Sequence, residues 1–233
     1  MPIKLIETAD IEVTNQITYA TNRQTEVKKE AFEALTPFQR DLEEFYKAQL
    51  KNEPFALFYE RRSKQYEGSA VKRYQIVTVA GQVLAFVSAW LREPQSANSN
   101  YYGSLLESYG SRLFDKNHSP FPYYLSALLI NRAEALFAKG SLPANMRRFR
   151  YHLAMLFLAG AGDLPKINEK KKVEKYCQDV CSILEDETLT ANIFNGCIEC
   201  IECLLKDTRD KDTAFRSRAF TIQLLEAYQK QKR

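Results

Sequence analysis

The chain has 233 residues, 45% hydrophobic and 27% charged, with a mean hydropathy of −0.40; these are the values of a globular protein long enough for one large domain or two small ones, and eight glycines with eight prolines exclude a fibrous or linker-rich chain. A formal charge of +4, from 33 Lys and Arg against 29 Asp and Glu, permits contact with nucleic acid but falls short of the basic excess of a dedicated nucleic-acid binder. No apolar run reaches the roughly 20 residues that span a bilayer, and Met1-Pro2-Ile3-Lys4 leads into Glu7, Asp10 and Glu12 instead of a signal sequence, so a cytoplasmic protein without a membrane partner is expected.

The short apolar run Ile3 to Ile6 predicts a buried strand, and Thr8 or Asp10 caps a helix that continues to Asn22. A polar turn, Asn22-Arg23-Gln24-Thr25, precedes a short helix over residues 27–35. Thr36-Pro37 then restarts a helix, with Thr36 as N-cap and Pro37 in the first turn; Phe38, Leu42, Phe45, Tyr46 and Leu50 give it an apolar face at steps of three and four. Pro54 ends it, and residues 55–59 read as a strand that delivers Glu60-Arg61-Arg62. A second extended piece over 74–77 leads into an apolar helix over 78–91. Residues 94–100 turn polar and form the best candidate boundary, dividing the chain into 1–95 and 96–233.

Beyond the boundary every segment reads as helix, over about 102–114, 123–137, 143–158, 168–184, 188–205 and 213–230, with Gly140, Gly160, Gly162 and Pro165 at the breaks. No repeat of fixed period recurs, which favours a compact bundle over a solenoid. The expected fold is therefore mainly α, a small N-terminal α/β portion followed by a helical bundle.

All five cysteines lie in the last quarter, an odd number that argues against a disulfide framework. Cys197-x-x-Cys200-x-x-Cys203 superficially suggests a metal site, but it sits among Ile198, Ile201, Leu204 and Leu205 in a helical stretch. On a straight helix the outer pair stands about 9 Å apart, too far to close easily on one ion. The three thiols are expected to face the bundle interior, with Cys177 and Cys181 in the same layer, and no metal is expected.

Four pieces of the first 95 residues, in this order and spacing, resemble the AIPR family of abortive phage infection proteins: Ile3-Lys4-Leu5-Ile6-Glu7-Thr8; Ala20-Thr21-Asn22-Arg23-Gln24-Thr25-Glu26-Val27; Pro37-Phe38-Gln39 with Leu42-Glu43; and Tyr59-Glu60-Arg61-Arg62 with Gln65-Tyr66. The helix over residues 82–91 followed by Pro94 extends the likeness, and the later helices share only the family's general character. The resemblance implies a phage-defence component. It also implies an upstream segment with an endonuclease-like core in longer relatives, so any nuclease activity would belong to that segment, and a separate upstream half or a second copy becomes an expected partner.

Two constellations are candidate ligand sites. Asn22, Arg23, Gln24 and Thr25 gather amides, a hydroxyl and a guanidinium at a helix end, chemistry suited to a phosphate or a base edge; equally, Asn tolerates the left-handed geometry of a helix C-terminus and Thr25 caps the next helix. Glu60, Arg61 and Arg62 can hold an anion, or Arg61 or Arg62 can form an internal ion pair with Glu43 or Glu44 of the preceding helix. A third feature, Arg147-Arg148-Phe149-Arg150 with Lys166, Lys170, Lys171 and Lys172, is either a nucleic-acid surface or solvated helix charge. Phosphate-loop, zinc-protease and serine-hydrolase signatures are absent from the sequence. The reading is a phage-defence component that binds nucleic acid or a nucleotide, alternatively a non-enzymatic interaction subunit, less readily a metal-dependent nuclease; no cofactor is required, with nucleotide or Mg the ones compatible with it.

Overall fold

The structure, a computed structural model, describes Ile11, Val13 and residues 36–50 and 56–231. The expected strand Ile3 to Ile6, the polar turn Asn22 to Thr25 and the helix over 27–35 lie outside these residues. The expected fold class holds for what is described: nine α-helices accompany one two-stranded sheet.

Helix α1 (Pro37–Gln49) begins at Pro37 as its sequence dictates and buries Phe38, Leu42 and Tyr46. Thr36 takes the N-cap position, but its hydroxyl makes no capping bond and is enclosed without a partner. Strands β1 (Phe58–Glu60) and β2 (Ile76–Thr78) pair in parallel, Phe58 against Ile76 and Glu60 against Thr78. Both are shorter than expected, because residues 61–75 turn away and re-enter through a 3-10 turn, Arg73–Gln75, whose Gln75 side chain donates to the Ala56 carbonyl at 3.3 Å.

Thr78 ends β2 and caps α2 (Val79–Ala89) by accepting the Gly81 N–H at 3.1 Å. Apolar residues surround α2, so it is buried nearly all round, packed against α5 (Phe121–Lys139) and α6 (Arg150–Gly160). Two short helices, α3 (Pro94–Ser99) and α4 (Tyr102–Tyr109), follow. The stretch expected to be a polar boundary is thus helical: Pro94, Gln95 and Ala97 are buried, and Asn98 donates to the Phe215 carbonyl at 3.1 Å. One hydrophobic core includes residues on both sides of residue 95.

The expected helix over 143–158 divides into a 3-10 segment, Ala144–Phe149, and α6. In a 3-10 turn side chains three apart line up, which lets Met146 and Phe149 both enter the core while the intervening arginines face outward. At the end of α5, Gly140 adopts a left-handed φ of 75°, and Ser141 N–H closes the turn on the Leu136 carbonyl. Helices α7 (Lys170–Glu185) and α8 (Glu187–Lys206) are hinged at Asp186, whose carboxylate caps the Leu189 N–H at 2.9 Å; α9 (Arg218–Gln231) closes the bundle. Among the described residues no helix is long and apolar enough to cross a membrane.

Two buried polar contacts hold helices in register. Gln82 of α2 accepts the Tyr46 hydroxyl of α1 at 2.6 Å and donates to the Tyr123 carbonyl of α5 at 2.8 Å. His152 of α6 meets Thr221 of α9, Nε2 to Oγ1 at 3.1 Å, between the rings of Phe149 and Phe220. Thr221 commits its hydroxyl hydrogen to the Ser217 carbonyl, so the ring supplies the shared hydrogen and Nδ1 is left as a lone pair without a partner.

Burial pushes His152 down to about 3, against about 6.5 in an unfolded chain. Because the folded value is the lower one, the unfolded state takes up the proton first. Stability contributed by this group is complete above about pH 6.5 and declines by up to about 1.4 kcal/mol per unit as pH falls towards 3. Urea unfolding between pH 7 and pH 4.5 is expected to show this slope in the native chain and a flatter one in His152→Leu; equal slopes would mean that the imidazole charges without unfolding.

Candidate functional site

The fourth family motif is built from the meeting of α1 with β1. Tyr59 and Arg61 are two residues apart on extended chain, a step of about 6.6 Å, and Gln39 and Glu43 are one helical turn apart, a step of about 6 Å. The two steps match, so Tyr59 donates its hydroxyl hydrogen to Gln39 Oε1 while Arg61 Nε donates to Glu43 Oε2 at 2.7 Å. Gln65, folded back by the turn after β1, donates to the other Glu43 oxygen at 2.7 Å, and its own carbonyl oxygen accepts the Arg62 N–H at 3.1 Å. Tyr66 donates to the Tyr59 carbonyl at 3.3 Å. Outside this cluster Lys47 approaches Glu43 at 3.6 Å.

The Arg61 and Glu43 side chains are only 9% and 10% exposed, so this is an enclosed ion pair. Burial pushes the Glu43 carboxyl up, but hydrogen bonds from Arg61 and Gln65 with the Arg61 charge outweigh it and hold the group below its usual range. The pair therefore stabilises the fold above the unfolded carboxyl value and is lost as pH falls through the folded one. Of the two readings open from sequence, the internal pair with Glu43 is the one formed by Arg61. Arg62 is exposed, Glu60 is half-buried at the end of β1, and Asn22, Arg23, Gln24 and Thr25 lie outside the described residues. Gln39, the companion contact to Tyr59, belongs to the third family piece but was not among the candidate site residues; its signal was a polar residue on the apolar side of α1.

Breaking an enclosed pair from one side strands a charge, whereas removing both charges does not. Arg61→Met is expected to lower unfolding free energy by about 3 kcal/mol, with Glu43→Leu added on top recovering much of the loss. Chemical denaturation of both variants checks this; full stability in Arg61→Met would return that arginine to a ligand role.

The basic residues divide by partner. Arg147 and Arg150 both bind Glu134 of α5, at 2.6 and 3.4 Å, and Arg148 reaches Asp212 at 3.2 Å. Lys172 pairs with Glu169 and Lys175 with Asp179, both at 3.1 Å. Lys166, Lys170 and Lys171 are exposed and have no acidic partner among the described residues. The first turn of α7 contains no acid and its last turn no base, so its charge runs against the helix dipole. The negative end is met by Arg132, whose guanidinium donates to the Leu184 carbonyl at 3.1 Å, and at the lysine end Glu169 takes the N-cap position and pairs with Lys172, leaving Lys170 and Lys171 without a carboxylate among the described residues.

The cysteine stripe departs from expectation. Cys197 and Cys200 are buried, but Cys203 is exposed. Three-residue steps on a helix with 3.6 residues per turn fall about 60° short each time, so the third thiol has rotated out of the core. Across the hinge, Cys177 is buried and Cys181 half-buried; burial pushes Cys177 up strongly and Cys181 up to about 12. Among the described residues no group of three or more His, Cys, Asp or Glu is placed to hold a metal ion. A cleft of about 190 Å³ between α1, α5 and α7 is floored by Phe121, Tyr124 and Leu128 and rimmed by Glu185, with no lysine or arginine in its wall. Ellman's reagent is expected to titrate one thiol rapidly in the native chain, that of Cys203; a Cys203→Ser variant should lose the fast phase entirely.

No curated protein and no solved structure matches this chain. A family model described as AIPR protein matches residues 1–195, which runs well past the first 95 residues where the motifs are legible and takes in α1 to α7 with the first half of α8. The chain accordingly belongs to the AIPR family, the abortive phage infection proteins, and its role lies in phage defence.

Proposed function

We propose that this AIPR protein acts in phage defence by binding nucleic acid along its phosphate backbone, with the lysine end of α7 as a contact surface. The observation that carries this reading is the contrast among the cations. Arg61, Arg147, Arg148 and Arg150 are committed to carboxylates of the fold, while Lys166 in the loop before α7 and Lys170 and Lys171 in its first turn stand exposed without a carboxylate among the described residues, the N-cap acid Glu169 being paired with Lys172. An arrangement that opposes its own helix dipole gains most from an external anion, and phosphates are the anions that helix N-termini and clustered lysines share. Arg62, exposed where β1 ends, and the amide-rich segment Asn22 to Thr25 are further contacts in this reading. The modest net charge fits weak, sequence-tolerant binding that is steeply salt-dependent.

Fluorescence anisotropy with single- and double-stranded oligonucleotides across a salt series tests it. The triple variant Lys166→Glu, Lys170→Glu, Lys171→Glu is expected to lose at least about tenfold in affinity at low salt and to flatten the salt dependence by a slope of about 2. The same variant should melt about 1–3 °C higher, because acids then sit at the positive end of α7. Absence of binding by the native protein at low salt, or undiminished binding by the variant, would sink the proposal.

A further inference from the structure

Arg92 is a residue that the sequence gives no reason to notice. It lies in the turn between α2 and α3 with a φ of 58°, a left-handed conformation that costs a residue with a side chain about 1 kcal/mol more than glycine. Among the described residues its enclosed Nε meets no acceptor and its guanidinium forms no salt bridge. Neighbouring acids do not serve it: Glu93 accepts a hydrogen bond from Gln95 instead, and Asp163 makes no ion pair with it. The C-terminus of α2 offers partial negative charge without a bond. The enclosed Nε–H is a donor left without an acceptor among the described residues, a cost that adds to that of the strained backbone that presents it.

Its position supplies the reason. Tyr176 of α7 packs edge-on against Trp90 at 6.0 Å and lies within the field of both Arg92 and Asp163. Along α7, Tyr176 is six residues from Lys170, about 9 Å. Arg92 therefore lies on the Tyr176 flank of α7, about 120° or more round the helix from Lys170 and Lys171, and on the side of the loop in which Lys166 lies three residues beyond Asp163.

We infer that Arg92 is a phosphate-binding residue, a planar fork beside the loop that carries Lys166 into α7, an assignment that rests on the nucleic-acid reading above and adds to it a specific anion contact. Lysines provide point charges that tolerate any backbone geometry, whereas a guanidinium held from beneath by an enclosed Nε presents its two terminal nitrogens in a fixed plane to one phosphate. The left-handed backbone is then retained because the loop must aim that side chain across α7, and glycine, the residue suited to the conformation, has no side chain to aim.

Two variants and two probes test this. Sodium pyrophosphate is titrated by calorimetry and a labelled oligodeoxythymidylate by anisotropy, each against the native chain, Arg92→Gly and Arg92→Gln. Both variants are expected to bind both probes about tenfold more weakly, the loss of one charge-assisted contact, and to reduce the oligonucleotide salt slope by about 0.7. Arg92→Gly should melt at the native temperature or a few degrees above it, through relief of the left-handed strain. Arg92→Gln keeps the stem, so it reports on binding even if the glycine variant fails to fold. Native affinity for the oligonucleotide in Arg92→Gln would overturn the role of Arg92 while leaving the lysine surface intact. Pyrophosphate binding that depends on Arg92 in a chain that ignores oligonucleotides would instead support the site and overturn the nucleic-acid reading. Native affinity for both probes, with a lower melting temperature in Arg92→Gly, would make Arg92 a structural residue.

Discussion

The geometry of the described N-terminal part depends on an equality of lengths: one turn of α1 and two residues of extended chain advance by nearly the same distance. Gln39 and Glu43 can therefore meet Tyr59 and Arg61 simultaneously. Slipping β1 by one residue would turn Arg61 outward and bury the carboxylate of Glu43 alone, which is far more costly than the pair is favourable. The contact specifies register more than it adds stability. From that fixed strand the rest is arranged in order, since β1 sets the register of β2, Thr78 at the end of β2 caps α2, and Gln82 on α2 then joins Tyr46 of α1 to Tyr123 of α5.

Tyr123 carries this order into the aromatic centre. Its ring stacks on Phe86 of α2 at 3.8 Å and tilts against Phe38 of α1 at 5.0 Å, while its hydroxyl receives the Phe114 N–H at 2.7 Å. Three helices and a loop thus meet at one side chain that has both an apolar body and a polar tip. The family match ends inside α8, yet α9 is integral to the described core: the enclosed His152 and Thr221 join it to α6, and Phe220 and Leu224 are buried with them.

The charges follow a different logic from the core. Arginines near the α5–α6 corner and at the exit of β1 are matched by carboxylates within reach, whereas the lysines that open α7 and the guanidinium of Arg92 are not. Lysines in the first turn of α7 and a strained arginine with an unpartnered Nε on another flank of the same helix each lower stability slightly. Their proximity is what joins them into a proposed surface, because natural folds tolerate such local conflict where a ligand resolves it.

Periodicity and local stereochemistry were enough to place α1, α2 and the later helices, since Pro37, Thr78, Gly140 and the apolar faces act within a few residues of themselves. The choice of Glu43 as a partner for Arg61 was also open to inspection, because an enclosed arginine needs a carboxylate and few were near. Tertiary structure decided what depends on rotation and distance. It turned Cys203 out of a stripe that spacing alone makes continuous, split the helix over 143–158 so that Met146 and Phe149 could share one face, and buried Pro94, Gln95 and Ala97 of a stretch that reads as polar. It also decided which cations keep their charge for a ligand. A run of Lys and Arg looks uniform in sequence, and only the packing that brings Glu134 and Asp212 to the arginines, and no acid to Lys166, Lys170, Lys171 or Arg92, separates them, because ion pairing is settled by a few ångströms between residues far apart in the chain.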